Sequence, residues 1–381
     1  MPPDRDRRRR TRGSIGTRLR GALAIGALLV VAAPAWPTAG ASRSTPVADP
    51  CAGTFRSAGE YQEAFAGLAS LGTGWSTADG YVPVALPDGR TAWLMSDTLL
   101  APPAVPAGAP PTFVHNSIVV QHGRCLGPVL GGTVAGRQDL VPEVYGRACW
   151  PSSGVARGRT MLVFCTLVEQ TDGPPGFGFR VVGTAIARFA LPNLAFRRLD
   201  LLPFAEPAGI SWGTGAVLVD RTVYVYGAAA GNGYVARVEF ARATTGPWRF
   251  WTGRTWGRRP ALGAMTFRGG PPTAPAFVTR SGTGFVAVAF PRPLPDPEIA
   301  GWTAARPEGP WRARGPLTTA VVSPAQFAYD ARAVDLRGAG WTIVYNVNDP
   351  VAVATDPTVY GGRFVRPTRR GQGARNWWRT G

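Results

Sequence analysis

Few residues in this 381-residue chain can do chemistry, and most of those are carboxylates and aromatics. There are two histidines, His115 and His122, and four cysteines. No Ser/His/Asp nucleophile arrangement, phosphate loop or nucleotide fingerprint surrounds them, and the spacings fit no zinc pattern. Paired carboxylates remain. A protonated and an ionised carboxyl flanking one bond are what glycoside cleavage requires. Four acids stand where apolar strands begin or end. Asp79 (WSTADG) precedes the run YVPVAL, and Asp97 (MSDT) follows TAWLM. Glu143 (VPEVYG) lies in a loop before the next apolar stretch, and Asp330 (QFAYD) precedes ARAVDL. Asp88 and Asp220 occupy tight turns, and turn chemistry accounts for them.

A sugar site also needs flat apolar faces and hydrogen-bonding groups. Trp75, Trp150 and Trp212 lie near the same strand starts as the acids, with small polar residues around them. Blade packing is the other use for these indoles. His115 and Asn116 lead the strand SIVVQ, while Tyr329 and Asn346 fall in the last repeat; all four are candidate sugar contacts.

What must position these residues is a repeat. Five hairpins recur: GYVPVALPDGRTAWLMSD, SGVARGRTMLVFCTL, TGAVLVDRTVYVYGA, PAFVTRSGTGFVAVAF and ARAVDLRGAGWTIVYN. Their turns, at Gly89, Gly158, Arg221, Gly282 and Gly338, are 69, 63, 61 and 56 residues apart. A period of this length built of strands predicts an all-β fold, a five-bladed β-propeller with four-stranded antiparallel blades. The echo of GPWRF at Gly246 in GPWRA at Gly309 repeats the 63-residue offset. Strand residues alternate faces, so the lead-in of each inner strand points into one mouth. The five lead-ins are Trp75–Gly80, Trp150–Gly154, Ser211–Gly215, Pro271–Pro275 and Gln326–Asp330. A short helix is expected around Tyr61, Phe65 and Leu68, spaced by four and three. The Pro-rich 101–112 reads as a surface loop.

The domain reading is 1–41 signal peptide, 42–72 lead-in, 73–366 propeller and 367–381 basic flexible tail. The first 41 residues hold eight Arg and two Asp, then an apolar run from Ala22 to about Ala35 and the small-residue motif Ala39-Gly40-Ala41. That is the pattern of a cleaved export signal, and the run is shorter than the roughly 20 residues of a permanent anchor. The formal charge of +18 therefore leaves 18 − 6 = +12 on the exported part, every basic residue being Arg. The expectation is a secreted or envelope-associated monomer with no stable membrane anchor and no nucleic-acid partner. Four cysteines in an exported chain imply up to two disulfides with three pairings, of which Cys125–Cys149 is preferred because both flank the first blade connection.

The strings ADGYVPVALPDGRTAWLMSDTLL, FVHNSIVVQ, WPSSG, ISWGTG and YNVN resemble a bacterial family of exported five-bladed propellers long classed as a domain of unknown function. The family is related to arabinanase, fructosidase and levansucrase propellers, and some members are endo-D-arabinanases. The resemblance spans roughly 73 to 366. It implies a glycoside hydrolase acting on an envelope polysaccharide, with Asp79 and Asp97 at the family's first-blade aspartates. No organic cofactor or metal is called for; an axial calcium occurs in related propellers, but no ligand cluster in this sequence predicts one. WPSSG carries serines where relatives often have an acid, and AYDAR stands where a His-bearing string is common. A glycan-binding member without turnover is the second reading, and an envelope structural protein is the third.

Overall fold

The computed structural model describes residues 49–106, 112–174, 177–204, 210–229, 232–260, 267–268, 277–282, 284–292 and 296–368. The expected signal segment, the lead-in Pro271–Pro275 and the tail beyond 368 lie outside the described residues. Among the described residues, no helix is long and apolar enough to cross a membrane.

Among the described residues the chain is mostly β-strand with one short α-helix, and each of the five hairpins opens a sheet. The leading strands are Val82–Ala85, Ala148–Arg157, Ser211–Val219, Phe277–Ser281 and Phe327–Leu336, each antiparallel to the strand after its turn. Turn residues 89, 158, 282 and 338 take positive φ, the left-handed backbone that Gly adopts without strain. Among the described residues the sheets hold four, four, five, five and three strands, not four each. The fourth sheet gains Phe267–Arg268 as a parallel edge strand, and the fifth ends at Gly361–Val365. Above the first sheet, Trp75–Ala78, Thr98–Leu100 and Phe113–Val114 continue its first three strands as a separate short sheet.

Hydrogen bonds tie each sheet to the next. Ser96 Oγ donates to Pro151 O, Ser153 Oγ to Gly213 O, Tyr226 OH to Pro307 O, and Thr279 Oγ1 to Ala333 O. The fifth sheet reaches the first through Tyr329 OH to Asp79 and through Thr77 Oγ1 to Tyr360 O. The leading strands of all five sheets line one channel of about 340 Å³. Lead-ins of the first and fifth sheets meet at one end, where Tyr329 OH donates to Asp79, and turns of the first, fourth and fifth sheets line one cavity at the other.

The helix Ala58–Ala66 starts at Ser57, whose Oγ accepts from Glu60 N. It buries Tyr61 and Phe65 in a cluster with Tyr81, Trp93 and Phe364. Its Gln62 donates to Gly362 O and accepts from Phe364 N, pinning the last strand onto the first sheet. A Cβ at Gly362 would lie 2.6 Å from the Tyr81 ring, so that approach requires glycine.

The disulfides differ from the expected Cys125–Cys149. Cys51 pairs with Cys125 and Cys149 with Cys165, at Cα separations of 5.0 and 5.1 Å. The reason is sheet register: Cys165 lies opposite Pro151, two residues from Cys149, on the adjacent strand. The Gly123 turn brings the other cysteine against the Cys51 backbone.

Candidate active site

Asp79 and Asp97 face each other across the first two strands at the break between the first sheet and its upper continuation. Asp79 N donates to Asp97 O at 3.1 Å and Ser96 N donates to Asp79 O at 3.0 Å. Two residues thus oppose one, the pattern of a β-bulge, which bends a strand and re-aims its side chains. Gly80 and Tyr81 follow at φ +98° and +51°. Register is restored beyond the break, with Ala78 opposite Thr98 above and Val82 opposite Leu94 below. Other leading strands break at a similar level: register shifts fall at Pro151/Ser153, Trp212/Gly215 and Tyr329/Arg332. On the third strand, His115 extends the same row beside Asp97, between the pairs Thr98/Val114 and Met95/Ser117.

The two carboxyls experience different fields. Burial raises Asp97 to about 8; the Asp79 charge adds to this, while His115 and the Trp150 indole oppose it. Trp150 Nε1 donates to Asp97 Oδ1 at 2.7 Å. Asp79 is raised less, to about 6, again first by burial. Hydroxyls of Tyr329 and Tyr360 and the Arg332 charge hold it down, while Asp330 pushes it up. Tyr329 OH donates to Asp79 Oδ2 at 2.7 Å, whereas Asp79 Oδ1 is buried with no hydrogen-bond partner. Burial pushes both phenols well above their usual range, so they stay neutral donors. Burial thus raises both carboxyls, Asp97 the more.

Asp330 takes φ +53° at the fifth-sheet bulge and is open to solvent. Desolvation of its carboxyl raises the pKa, and the Arg332 charge counters that. Arg332 is 4% exposed, lies 4.1 Å over the Phe277 ring and leaves Nη1 without a partner.

Asp139, which no sequence signal marked, holds His115: Oδ1 accepts from the His115 amide at 2.7 Å and Oδ2 lies 3.1 Å from Nδ1. Burial works against the charged imidazole, but Asp139, Asp97 and Glu143 outweigh it and raise the His115 pKa. Glu143 is exposed and 3.5 Å from His115 Nδ1. Ligand atoms of His115, Asp139 and Glu143 lie within 4.8 Å of one another, a nitrogen and two carboxylates that suit a divalent cation. In the observed geometry the imidazole and Asp139 satisfy each other.

Several expected contacts serve structure instead. Trp75 and Trp212 are 1% exposed and sit in separate core clusters, with no free face for a sugar. The bulges shift the inward and outward phase of the leading strands, which turns these indoles into the sheet interior. Asn116 spends its side chain on Val141 N, Val141 O and Cys149 O, fastening the loop before the second sheet. Trp150 is half-buried beside Phe179, its indole committed to Asp97. Tyr329 orients an acid. Asn346, opposite Tyr329, is 1% exposed with both side-chain polar atoms unpaired. Sequence reading missed Asp139, Tyr360 and Arg332.

A family profile matches residues 62–344. The chain belongs to the Domain of unknown function family DUF5005. No curated protein matches this DUF5005 chain. Among solved structures, it is similar to a Bacteroides ovatus protein assigned provisionally as a hydrolase: TM-score 0.64, 15% identity, covering 80% of this chain and 88% of that one. At that level the two share a fold. A GH43 β-xylosidase/α-arabinofuranosidase from a compost metagenome, solved with xylotriose, aligns at TM-score 0.46 and 14% identity over 79% of this chain and 94% of its own. A GH43_1 enzyme of Xanthomonas citri, also with xylotriose, aligns at 0.46 and 13% over 80% and 92%.

Proposed function

We propose that this DUF5005 protein is an exported five-bladed propeller that hydrolyses a glycosidic bond of a cell-envelope polysaccharide, in the manner of an endo-D-arabinanase. Asp97 is the general acid and Asp79 the ionised partner, acting as base or nucleophile. One observation carries the reading: two carboxyls, joined by a backbone hydrogen bond at a strand bulge, have different donors, the Trp150 indole on Asp97 and the Tyr329 hydroxyl on Asp79, and burial raises them unequally, toward about 8 and about 6. That split is how a site assigns acid and base among like groups. Asp79 Oδ1 is buried with no protein partner, so its negative charge is left without a hydrogen-bond donor on that side. Tyr329 keeps Asp79 ionised, Tyr360 OH donates to the Asp97 carbonyl at 3.2 Å, and Trp150 orients the Asp97 carboxyl. Asp330, Glu143 and His115 line the glycan path at the mouth, with Asn346 buried behind Tyr329. Should a divalent cation bind, His115, Asp139 and Glu143 would hold it and it would neutralise the local acidic charge. The two disulfides, of a kind that persists in oxidising compartments, support export.

The test is incubation with arabinans, fructans and other envelope polysaccharides, scoring new reducing ends. Release by the native protein that is lost in Asp79→Asn and in Asp97→Asn supports the proposal. Glycan binding without any release favours the second reading, a lectin-like member. Ser152 favours it too: where relatives often carry an acid, this hydroxyl is hydrogen-bonded to Thr166 at 2.8 Å.

A further inference from the structure

We propose that the face at the turn end of the channel, opposite the acids, is a binding surface for an anionic polysaccharide. Each of the five hairpins brings arginine to its turn. Arg90 follows Gly89, Arg157 and Arg159 flank Gly158, Arg221 completes the turn after Asp220, Arg280 precedes the Gly282 turn and Arg337 precedes Gly338. The first, fourth and fifth turns line one cavity, Arg90 donates to Pro192 O beside the second turn, and the third leading strand lies between the second and fourth, so the turns gather at one end of the channel. The aspartates of the same turns and strand ends number three, Asp88, Asp220 and Asp335, against the six arginines named. Arg90 pairs with Asp88 at 2.7 Å. Among the described residues, Arg157, Arg159, Arg221, Arg280 and Arg337 are exposed and take part in no ion pair.

The face is also concave. Arg90, Arg280 and Arg337 line a cavity of about 460 Å³ between the first, fourth and fifth sheets, with Gln121 and Thr91 on its wall. A guanidinium presents a planar fork of donors that matches a carboxylate or phosphate group. Arginines set around a ring, one or more per repeat, suit a ligand whose charges also repeat: a glycan polymer bearing carboxylates or phosphodiesters. A single small anion would engage only the cavity. This surface lies a strand length from Asp79 and Asp97, so it can hold an anionic polymer while the acids meet a different segment or a different glycan.

Binding of the full-length mature protein to polygalacturonate and to long-chain polyphosphate, with neutral linear arabinan as control, tests this. The expected result is binding to at least one anionic polymer. On the scale known for flexible polyanions, four contacts imply a loss of about fifty-fold between about 50 and about 200 mM salt. Binding to one of the two identifies the recognised group as carboxylate or phosphate. The triple change Arg221→Gln, Arg280→Gln, Arg337→Gln is expected to weaken binding at least tenfold, and the corresponding Lys triple to restore most of it. Arg254→Gln, Arg258→Gln, Arg259→Gln removes the same charge from exposed positions on the third sheet and is expected to leave binding within twofold. Equal losses in the two Gln triples, absence of binding to either polymer, or binding to duplex DNA alone would overturn the proposal. The site of Asp79 plays no part in these readouts, so their failure leaves the hydrolase reading standing.

Discussion

Replacing Tyr329 by Phe removes the hydroxyl that donates to Asp79 Oδ2 at 2.7 Å and leaves the ring in place. A hydrogen bond to a charged group contributes about 1.5–3 kcal/mol. Each pKa unit corresponds to roughly 1.4 kcal/mol, so losing a bond that favours the anion should raise Asp79 by about one to two units. The native pair, near 6 and near 8, predicts a bell-shaped pH profile of kcat/KM: activity rises as Asp79 ionises and falls as Asp97 loses its proton. In Tyr329→Phe the acidic limb should move up toward the basic limb, narrowing the bell and lowering its peak. A purely structural role for Tyr329 would lower activity equally at every pH. The assay is the initial rate of reducing-end release from pH 4 to pH 10 (~ two points per unit, enough to resolve a one-unit shift). An acidic limb that stays in place, or moves down, would refute the assignment of Asp79 as the ionised partner.

Three further outcomes follow from the same geometry. Because Asp97 keeps its proton in the folded state while the unfolded carboxyl ionises near 3.8, stability falls as pH rises from that value toward 8. Asp97→Asn should therefore change little at the low end and stabilise at pH 8 by about 2–4 kcal/mol, discounted for partial solvent access, read as a Tm gain at high pH only. Gly80→Ala puts a Cβ at φ +98° within 2.8 Å of Ser96 N, so it should cost about 2 kcal/mol in denaturant unfolding and disturb the bulge that aims both acids. Cys51 and Cys125 are 74 residues apart and Cys149 and Cys165 are 16 apart. On the loop-entropy account the longer closure contributes about 4 kcal/mol and the shorter about 3, so the Cys51→Ser/Cys125→Ser pair should lose more Tm than Cys149→Ser/Cys165→Ser.

The repeat was legible because hairpins leave local marks: alternating apolar residues and Gly at turns that need left-handed backbone. The same marks put Asp79 and Asp330 just ahead of leading strands and Asp97 just after the second strand of the first hairpin. What local marks cannot carry is contact between distant segments. Tyr329 and Tyr360 reach Asp79 and Asp97 across 250 and 263 residues, and Asp139 reaches His115 from a loop with no periodicity. The tryptophans misled for a physical reason. Alternation predicts which way a side chain points only while the strand is regular, and bulges beside Trp75 and Trp212 change its phase. The preferred disulfide failed likewise, since closeness in sequence to a blade connection says nothing about which cysteine lies across the sheet.

Selective ¹³C labelling of aspartate, with the Asp79 and Asp97 carboxyl signals assigned by their Asn variants and followed through a pH titration, reaches the central claim without a substrate. A macroscopic step near 6 and another near 8 that both disappear in the double variant is the predicted result. Two carboxyls ionising together in the ordinary range near 3.8 would contradict it.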